Sequence, residues 1–201
     1  SYFAGQVIKN IDLSVFQGEV FGLLGANGAG KTTTIECVLG TRKADSGEIS
    51  ILGLDPRMDR RLLFDQVGVQ FQETCYPDNI KVGELCQETA CLYKNPADYR
   101  NLLQKFQLSE KEHAFVKDLS GGQKQRLFII LALIPGPKAV FLDELTTGLD
   151  TKARRTVWKS LLELKKQGLT IFLTSHFMDE VEMLCDRIGI LRDGAFVFTG
   201  T

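Results

Sequence analysis

Apolar runs and helix-forming stretches alternate along most of this chain, and their order predicts its fold class. Short apolar runs predict buried strands, at residues 20–24, 67–71, 139–142, 169–174 and 188–191. Helix-forming stretches lie between or after them, at residues 33–39, 59–65, 122–134, 152–167 and 178–184. Strands that alternate with helices predict an α/β fold, in which a mostly parallel sheet has helices on both faces.

Other strand signals predict antiparallel pairing near the two ends of the chain. Residues 7–16 alternate between apolar and polar side chains, which predicts a half-exposed strand, and residues 48–52 predict another. Asp193-Gly194 predicts a hairpin turn that leads into a last strand at residues 195–199. We expect these antiparallel strands to form a small β subdomain with a sheet of its own.

A helical pattern replaces the strand signals in the middle of the chain. Two amphipathic stretches occupy residues 82–106, and Asn95-Pro96 separates them. We therefore expect a single domain over residues 1–201, with a helical subdomain at about residues 73–118. This subdomain is inserted between core segments at about residues 1–72 and 119–201.

Composition narrows the class of protein and of partner. The formal net charge is −1, so no overall positive field favours nucleic acid, and we expect none as a partner. Five cysteines without a C-x-x-C pair are typical of reduced thiols, not of a disulfide framework or a zinc site. No apolar run approaches the roughly 18 residues of a membrane span, and no signal peptide is visible. The chain begins at Ser1 and not at Met, which is typical of a trimmed sequence.

A phosphate-binding loop lies between the first buried strand and the helix that follows it. The residues read Gly25-Ala26-Asn27-Gly28-Ala29-Gly30-Lys31-Thr32, which matches G-x-x-x-x-G-K-[ST]. The glycines let backbone N–H groups approach phosphate oxygens, and the helix N-terminus adds partial positive charge. Lys31 can reach the β- and γ-phosphates, and the Thr32 hydroxyl can bind Mg²⁺. We expect phosphate contacts from Gly25, Asn27, Gly28, Ala29, Gly30, Lys31, Thr32 and Thr33.

Two carboxylates follow another buried strand. Asp143 and Glu144 come directly after residues 139–142, and ligands of open α/β sheets bind at the carboxyl ends of strands. Asp143 can hold Mg²⁺ there, directly or through water. Glu144 is then placed to orient or deprotonate a water that attacks the γ-phosphate. Taken alone, this acidic pair is equally consistent with an ordinary loop, but beside a phosphate loop it favours hydrolysis.

The most discriminating stretch is Leu119-Ser120-Gly121-Gly122-Gln123, which we call the signature. Ser120 can cap the next helix, and the two glycines expose its first N–H groups, which makes a second anion site. With the phosphate loop, the helical insert and the carboxylate pair in this order, nearly the whole chain resembles the ATP-binding-cassette (ABC) ATPase family. The resemblance implies a P-loop NTPase (RecA-like) core with ATP and Mg²⁺ as cofactors.

The same resemblance implies how the motifs act. In that family two domains pair head to tail, and each ATP lies between the phosphate loop of one domain and the signature of the other. Ser120, Gly121, Gly122 and Gln123 would then act on the ATP of a second domain, with a homodimer as the expected pair. The remaining family motifs match Gln72, with Gln70 as its rival, for contact with Mg²⁺ or the attacking water, and His176 for the γ-phosphate. They match Gly148, Leu149 and Asp150 for the dimer seam. Tyr2, with Phe3 as the alternative, matches the residue that stacks on adenine.

Transport is the function that the resemblance implies. We expect an ATPase that powers solute movement, export in particular, through a separate membrane permease gripped by the helical insert. The domain would lie on the cytoplasmic face of the cell membrane. Residues 19–24 and 174–182 are similar to the branch that serves exporters of drugs, lipids or polysaccharides. Leu145 stands where the family usually has Pro, and we expect this to change loop stiffness without loss of activity.

Other members of the same ATPase family are the rival hypotheses. A DNA-repair ABC ATPase would carry long coiled coils between the phosphate loop and the signature, where this chain has no sustained heptads. A translation-associated ABC ATPase would carry two cassettes in one chain, and this sequence contains one. A non-catalytic regulatory cassette is disfavoured by Glu144, His176 and the intact signature.

Overall fold

One sheet of six strands forms the centre of the computed structural model, which describes residues 7–71, 76–77 and 79–201. In this part of the chain the strands are β1 (Val20–Leu24), β2 (Val67–Gln70), β3 (Ala139–Leu142), β4 (Thr170–Ser175), β5 (Arg187–Arg192) and β6 (Ala195–Gly200). Their order across the sheet is β2-β3-β4-β1-β5-β6. Strands β1 to β5 pair in parallel, and β6 pairs with β5 in the antiparallel sense. The predicted α/β class with a mostly parallel sheet is confirmed.

Helices cover both faces of this sheet. The α-helices of the described residues are α1 (Lys31–Val38), α2 (Arg60–Phe64), α3 (Val82–Cys91), α4 (Tyr99–Lys105), α5 (Gly121–Leu133), α6 (Thr151–Lys166) and α7 (Met178–Leu184). Short 3₁₀ turns follow α4 at Ser109–Lys111 and Val116–Asp118. No helix among the described residues combines the length and the apolar character needed to cross a membrane.

Successive residues of each central strand contribute to two separate apolar cores. Leu142 and Leu173 are buried in one core, with side chains of α5 and α6. Phe141 and Phe172 are buried in the other core, with Ile35 of α1. Each fully buried side chain of this size contributes about 1.5–3 kcal/mol to the free energy of unfolding. A strand that is buried on both faces needs apolar residues at every position, which explains the continuous apolar runs in the sequence.

The predicted helical insert contains α3 and α4, which are separated near Asn95-Pro96 as expected. This stretch packs against α5. The Ala97 N–H donates to the carbonyl oxygen of Ile134 at 2.8 Å, and Nη1 of Arg126 donates to the carbonyl oxygen of Phe106 at 3.0 Å. The division of the domain into a core and a helical subdomain at residues 73–118 stays a prediction.

The strands predicted at residues 7–16 and 48–52 are wrong, and the described residues contain no separate antiparallel sheet. Residues 7–16 do alternate in burial, and their apolar side chains pack on the core beside α1. Their backbone, however, forms no ladder with any other described residue. Its bonds within this part of the chain are isolated ones, such as that from the Lys9 N–H to the Gly194 carbonyl oxygen at 2.6 Å. An alternating pattern reports which side chains are buried, whereas a strand also needs a paired neighbour. The predicted β5–β6 hairpin forms, but as the edge of the main sheet.

Gly68 in β2 is a position where the packing leaves no room for a side chain. A Cβ atom there would lie 1.8 Å from the carbonyl oxygen of Ala132 in α5, so the strand and the helix would have to separate. We expect Gly68→Ala to lower the free energy of unfolding by about 3 kcal/mol, the upper end of the usual cost of overpacking. Gly121→Ala is the matched control, because no atom lies within 4 Å of its Cβ position. Urea unfolding followed by circular dichroism measures both variants, and equal midpoints would contradict this close approach.

Candidate active site

Residues 25–30 form the turn that joins β1 to α1. Every residue of β1 is buried, so the turn emerges at the carboxyl end of a strand inside the sheet. Gly28 and Gly30 have φ values of 81° and 106°, in the left-handed region that glycine adopts without steric cost. Helix α1 begins directly at Lys31, and Gly30 brings no side chain to cap its first N–H groups. These N–H groups and the positive end of the helix dipole are suited to bind an anion.

Lys31 is the charged group of this turn. The residue is only 5% exposed, and Nζ donates hydrogen bonds to the carbonyl oxygens of Gly25 at 2.7 Å and Ala26 at 3.2 Å. The side chain of Lys31 therefore folds back over residues 25–30, and its ammonium group lies at the start of this turn. Carbonyl dipoles replace only part of the hydration that a buried ammonium loses, so an anionic ligand would stabilise it strongly.

Asp143 joins the ends of three elements. It follows β3, which is paired in register with β4 so that Leu142 lies opposite Leu173. Asp143 is 1% exposed, and its Oδ2 accepts a hydrogen bond from Oγ1 of Thr32 at 3.0 Å. Its Oδ1 accepts a hydrogen bond from the hydroxyl of Thr174. The carboxylate thereby links the first turn of α1 to the carboxyl ends of β3 and β4.

Glu144 follows Asp143 with an uncommon backbone conformation. Its φ is 51°, in the left-handed region, which costs a residue with a side chain about 1–3 kcal/mol. Its N–H donates to Oγ1 of Thr174 at 2.8 Å, and its Oε2 accepts a hydrogen bond from the hydroxyl of Thr147 at 3.2 Å. The residue is half-buried at the same edge of the sheet as Asp143. Strained conformations of this kind cluster at functional sites.

His176 reaches the same edge through β4. This strand ends at Ser175, which lies opposite Leu24 at the end of β1, so His176 and the phosphate loop follow neighbouring strands. His176 is exposed, and its ring centre lies 4.1 Å from that of Phe177. The guanidinium carbon of Arg154 lies 4.3 Å from the centre of the Phe177 ring. The His176 ring thus lies against Phe177, which in turn lies against Arg154.

Thr32 and Asp143 are suited to hold a magnesium ion. Hydroxyl and carboxylate oxygens are ligands that Mg²⁺ prefers, and in nucleotide sites phosphate oxygens and waters complete its octahedral coordination. The described residues contain no group of three or more His, Cys, Asp or Glu side chains suited to a metal. One hydroxyl and one carboxylate form a donor set of the kind that binds Mg²⁺ together with nucleotide phosphates.

The signature forms the N-terminus of α5. The Gln123 N–H donates to Oγ of Ser120 at 3.3 Å, and the Ser120 N–H donates to Oε1 of Gln123 at 2.9 Å, which is a capping box. Ser120 and Gly121 are exposed, and no atom lies within 4 Å of the Cβ position of Gly121. A Cβ atom at Gly122 would lie 3.2 Å from Cδ2 of Leu149. The signature is therefore open on the side of Gly121 and packed on the side of Gly122.

The loop predicted for the dimer seam leads into α6. Gly148 is exposed and has a φ of 79°, whereas Leu149 is buried. Asp150 caps α6, because its Oδ1 accepts a hydrogen bond from the Ala153 N–H at 2.8 Å. Within the described residues no hydrogen bond joins residues 120–123 to the phosphate loop. The phosphate loop, both carboxylates and His176 thus share one edge of the sheet, while the signature and the seam loop pack on each other.

Comparison with known protein families assigns the chain. A family model described as ABC transporter matches residues 8–147, which is more than half of the chain. The chain belongs to the ABC transporter family. The predicted resemblance is therefore confirmed.

Relatives of this ABC transporter domain include export proteins. Nod factor export ATP-binding protein I of Rhizobium etli is 39% identical over 203 residues, which cover 96% of this chain and 63% of that protein. The protein of the same name from Rhizobium meliloti is 39% identical over 209 residues, which cover 100% of this chain and 61% of that protein. The chain spans less than two thirds of the length of these two relatives.

A solved structure gives the same fold for this ABC transporter domain. The structure of an ATP binding subunit of an ABC transporter has a TM-score of 0.89 and 29% sequence identity, and covers 100% of this chain and 85% of that chain. The predicted P-loop NTPase fold is confirmed. Together the comparisons favour a transport ATPase over the DNA-repair and translation-associated alternatives.

Two side chains that support the site of this ABC transporter domain were missed in the motif analysis. Thr174 bonds to both acidic residues, as described above. Gln125 of α5 donates from Nε2 to the carbonyl oxygen of Leu145 at 2.9 Å, which ties the signature helix to the loop after Glu144. Leu145 is fully buried, so the residue that replaces the usual Pro adds apolar packing at this point. Both contacts depend on which strands and helices are neighbours, and no local motif carries that information.

Two predicted residues of the ABC transporter domain, Gln72 and Tyr2, lie outside the described residues, as does Phe3. Gln70, the rival of Gln72, is the last residue of β2 and is 3% exposed. Its Nε2 donates to the carbonyl oxygen of Phe71 at 2.7 Å. The roles of these residues stay predictions.

Proposed function

We propose that this domain binds and hydrolyses ATP with Mg²⁺, and that the hydrolysis powers the export of a solute through a separate membrane-spanning chain. The observation that carries the proposal is the hydrogen-bonded set of Thr32, Asp143 and Thr174. The N–H of Glu144 also bonds to Thr174. Lys31 and Thr32 are the first two residues of α1, the helix that follows the phosphate loop. A phosphate site, a pair of magnesium ligands and a carboxylate base at one edge of the sheet are the groups that phosphoryl transfer to water requires.

In the proposed reaction Glu144 orients a water molecule and accepts its proton as the water oxygen attacks the γ-phosphorus. The bond between the γ-phosphorus and the β–γ bridging oxygen breaks, and ADP leaves with that oxygen. The N–H groups of α1 and the ammonium of Lys31 stabilise the negative charge on the transferred group. Thr32 and Asp143 would hold Mg²⁺, which would neutralise charge on the phosphate oxygens. His176 donates a hydrogen bond to the γ-phosphate, and Gln72 contacts the metal or the water.

The proposed active unit is a head-to-tail pair of two copies. Ser120 and Gly121 are exposed at the N-terminus of a helix of 13 residues, and no hydrogen bond from residues 120–123 reaches the phosphate loop within the described part of the chain. The signature of one copy then binds the γ-phosphate held by the other copy, and the loop at residues 148–150 lines the seam. ATP supplies the negative charge that both helix N-termini favour, so ATP stabilises the closed pair and hydrolysis weakens it.

Export is proposed from the relatives. Two of them, at 39% identity, carry the name Nod factor export ATP-binding protein I. We infer that this domain acts on the cytoplasmic face of a membrane and that the helical insert at residues 73–118 contacts the permease. The transported solute contacts the permease and not the residues of the ATP site.

A mixing experiment tests the proposed pair. Gly121→Asp adds a negative charge to the signature at an open position where a helix N-terminus tolerates an acidic side chain. Each ATP site of the proposed pair combines the phosphate loop of one copy with the signature of the other. In a pair of identical variant copies, Lys31→Ala or Gly121→Asp inactivates both sites, so neither variant alone should hydrolyse ATP. In an equal mixture, half of the pairs contain one intact site, and we expect activity up to about a quarter of the wild-type rate.

The control for the mixing experiment is the double variant Lys31→Ala/Gly121→Asp mixed with wild type. Pairs of these two chains contain no intact site, so this mixture should show only the activity of the wild-type pairs. Gly121→Ala, which adds no charge, should retain activity. The proposal is contradicted if the mixture of the two single variants shows only the sum of their separate rates while the wild type hydrolyses ATP.

A further inference from the structure

Thr174 is a buried polar residue to which none of the assigned motifs gives a role at the site. It lies in β4 and is fully buried, and along this strand it follows Phe172 on the same face. A buried hydroxyl costs free energy unless it is hydrogen-bonded, so an apolar residue would be expected here on packing grounds alone. The hydroxyl of Thr174 has two partners, and both belong to the acidic pair.

One oxygen atom of Thr174 serves both acidic residues. Oγ1 donates its proton to Oδ1 of Asp143 and accepts the N–H of Glu144 at 2.8 Å. The other carboxylate oxygen of Asp143, Oδ2, accepts a hydrogen bond from Thr32. Both oxygens of Asp143 are therefore oriented by threonine hydroxyls, one from the phosphate-loop helix and one from β4.

The bond to Glu144 bears on a strained part of the backbone. Glu144 has a φ of 51°, and a residue with a side chain keeps this conformation only where its surroundings hold it. The hydrogen bond from its N–H to Thr174 is one such restraint. A β-branched side chain such as threonine has a strongly restricted χ1, so Oγ1 is itself held in a fixed position.

We propose that Thr174 is a positioning residue for ATP hydrolysis: through one hydroxyl it sets the direction of the Asp143 carboxylate and the backbone of Glu144. The inference rests on the proposed function. It adds to that function a residue that positions the reacting groups. The strand that carries Thr174 also ends one residue before His176. Strand β4 thus positions the proposed magnesium ligand, the base and the histidine together. Loss of the Thr174 hydroxyl should therefore disturb the reaction more than the binding of ATP.

The test compares Thr174→Val with Thr174→Ser. Valine keeps the shape of threonine but can neither donate to Asp143 nor accept from Glu144, whereas serine keeps the hydroxyl. We expect Thr174→Val to lower kcat by about 10- to 100-fold, the effect of losing hydrogen bonds to a charged group, with KM changed by less than about three-fold. Thr174→Ser should keep kcat within about three-fold of the wild type.

A binding measurement accompanies the kinetics. The affinity for a fluorescent ATP analogue is measured by titration in EDTA and again in Mg²⁺. In EDTA we expect the wild type and both variants to bind equally, because the phosphate loop is unchanged. In Mg²⁺ the gain in affinity should be smaller for Thr174→Val than for the wild type or Thr174→Ser, because Asp143 is no longer oriented.

Several results would overturn the role of Thr174. These are a wild-type kcat in Thr174→Val, an equal loss in Thr174→Ser, or an equal loss of affinity in EDTA and in Mg²⁺. If Thr174→Val does not fold, as judged by circular dichroism, the smaller Thr174→Ala takes its place with the same serine control. If the wild type binds Mg-ATP without hydrolysing it, the proposed function fails, and the affinity gained from Mg²⁺ still tests Thr174.

Discussion

Replacing Glu144 by Gln is expected to reduce ATP turnover by about 10²–10⁴-fold, the usual contribution of a positioned general base. Glutamine keeps the shape of glutamate but cannot accept a proton from water. The N–H bond to Thr174 and the hydrogen-bond acceptor for Thr147 are both retained, so the loop should keep its conformation. ATP binding should be unchanged, because Glu144 is not among the groups that hold the phosphates. The variant should therefore accumulate as an ATP-bound pair of copies.

Size-exclusion chromatography with Mg-ATP, at several protein concentrations, measures this accumulation. Glu144→Gln should elute as a dimer with Mg-ATP and as a monomer without nucleotide. Glu88→Gln makes the same chemical change at an exposed glutamate of α3, and should leave both turnover and elution as in the wild type. A monomer at every concentration, while the wild type still hydrolyses ATP, would contradict the paired site.

Lys31→Ala should weaken ATP binding by about 30-fold or more. Removing one partner of a largely buried charge pair costs about 2–5 kcal/mol, and 1.4 kcal/mol corresponds to a tenfold change in Kd. Lys31 is 5% exposed, so solvent screens its charge little. Alanine is the best helix former, so the start of α1 should tolerate the substitution.

Isothermal titration calorimetry with ATP measures the effect of Lys31→Ala. The matched control is Lys43→Ala, which removes an exposed lysine from the loop after α1 and should leave Kd unchanged. Equal unfolding midpoints for the two variants would exclude a loss of fold as the cause. An unchanged Kd for Lys31→Ala would refute the role of this lysine in the phosphate site.

Local signals in the sequence were sufficient to predict the parallel core and its phosphate loop. Strands that are buried on both faces read as continuous apolar runs, so β1, β3 and β4 were predicted at nearly their observed bounds. The turn after β1 requires residues that accept a left-handed φ, and this requirement favours glycine at positions 28 and 30. In each case the chain has to satisfy a requirement that is visible within a few residues.

Features that depend on non-local pairing could not be predicted. Residues 7–16 have the alternating burial of a strand but no paired neighbour among the described residues, so a pattern of side chains gave the wrong secondary structure. Thr174 contacts Asp143 because β4 lies beside β3. The sequence of neither strand predicts which strand will be its neighbour in the sheet. Leu145 was predicted only to change the stiffness of its loop, whereas its side chain is buried in the core.

The central claim is that the signature of one copy binds the ATP held by another, and a structure of Glu144→Gln with Mg-ATP tests it most directly. The quantity to measure is the distance from Oγ of Ser120 to the nearest γ-phosphate oxygen. The account predicts a hydrogen-bond distance, about 2.7–3.2 Å, to an ATP whose phosphates contact Lys31 of the second copy. Ser120 in contact only with solvent, with ATP bound to Lys31 in each copy, would contradict it.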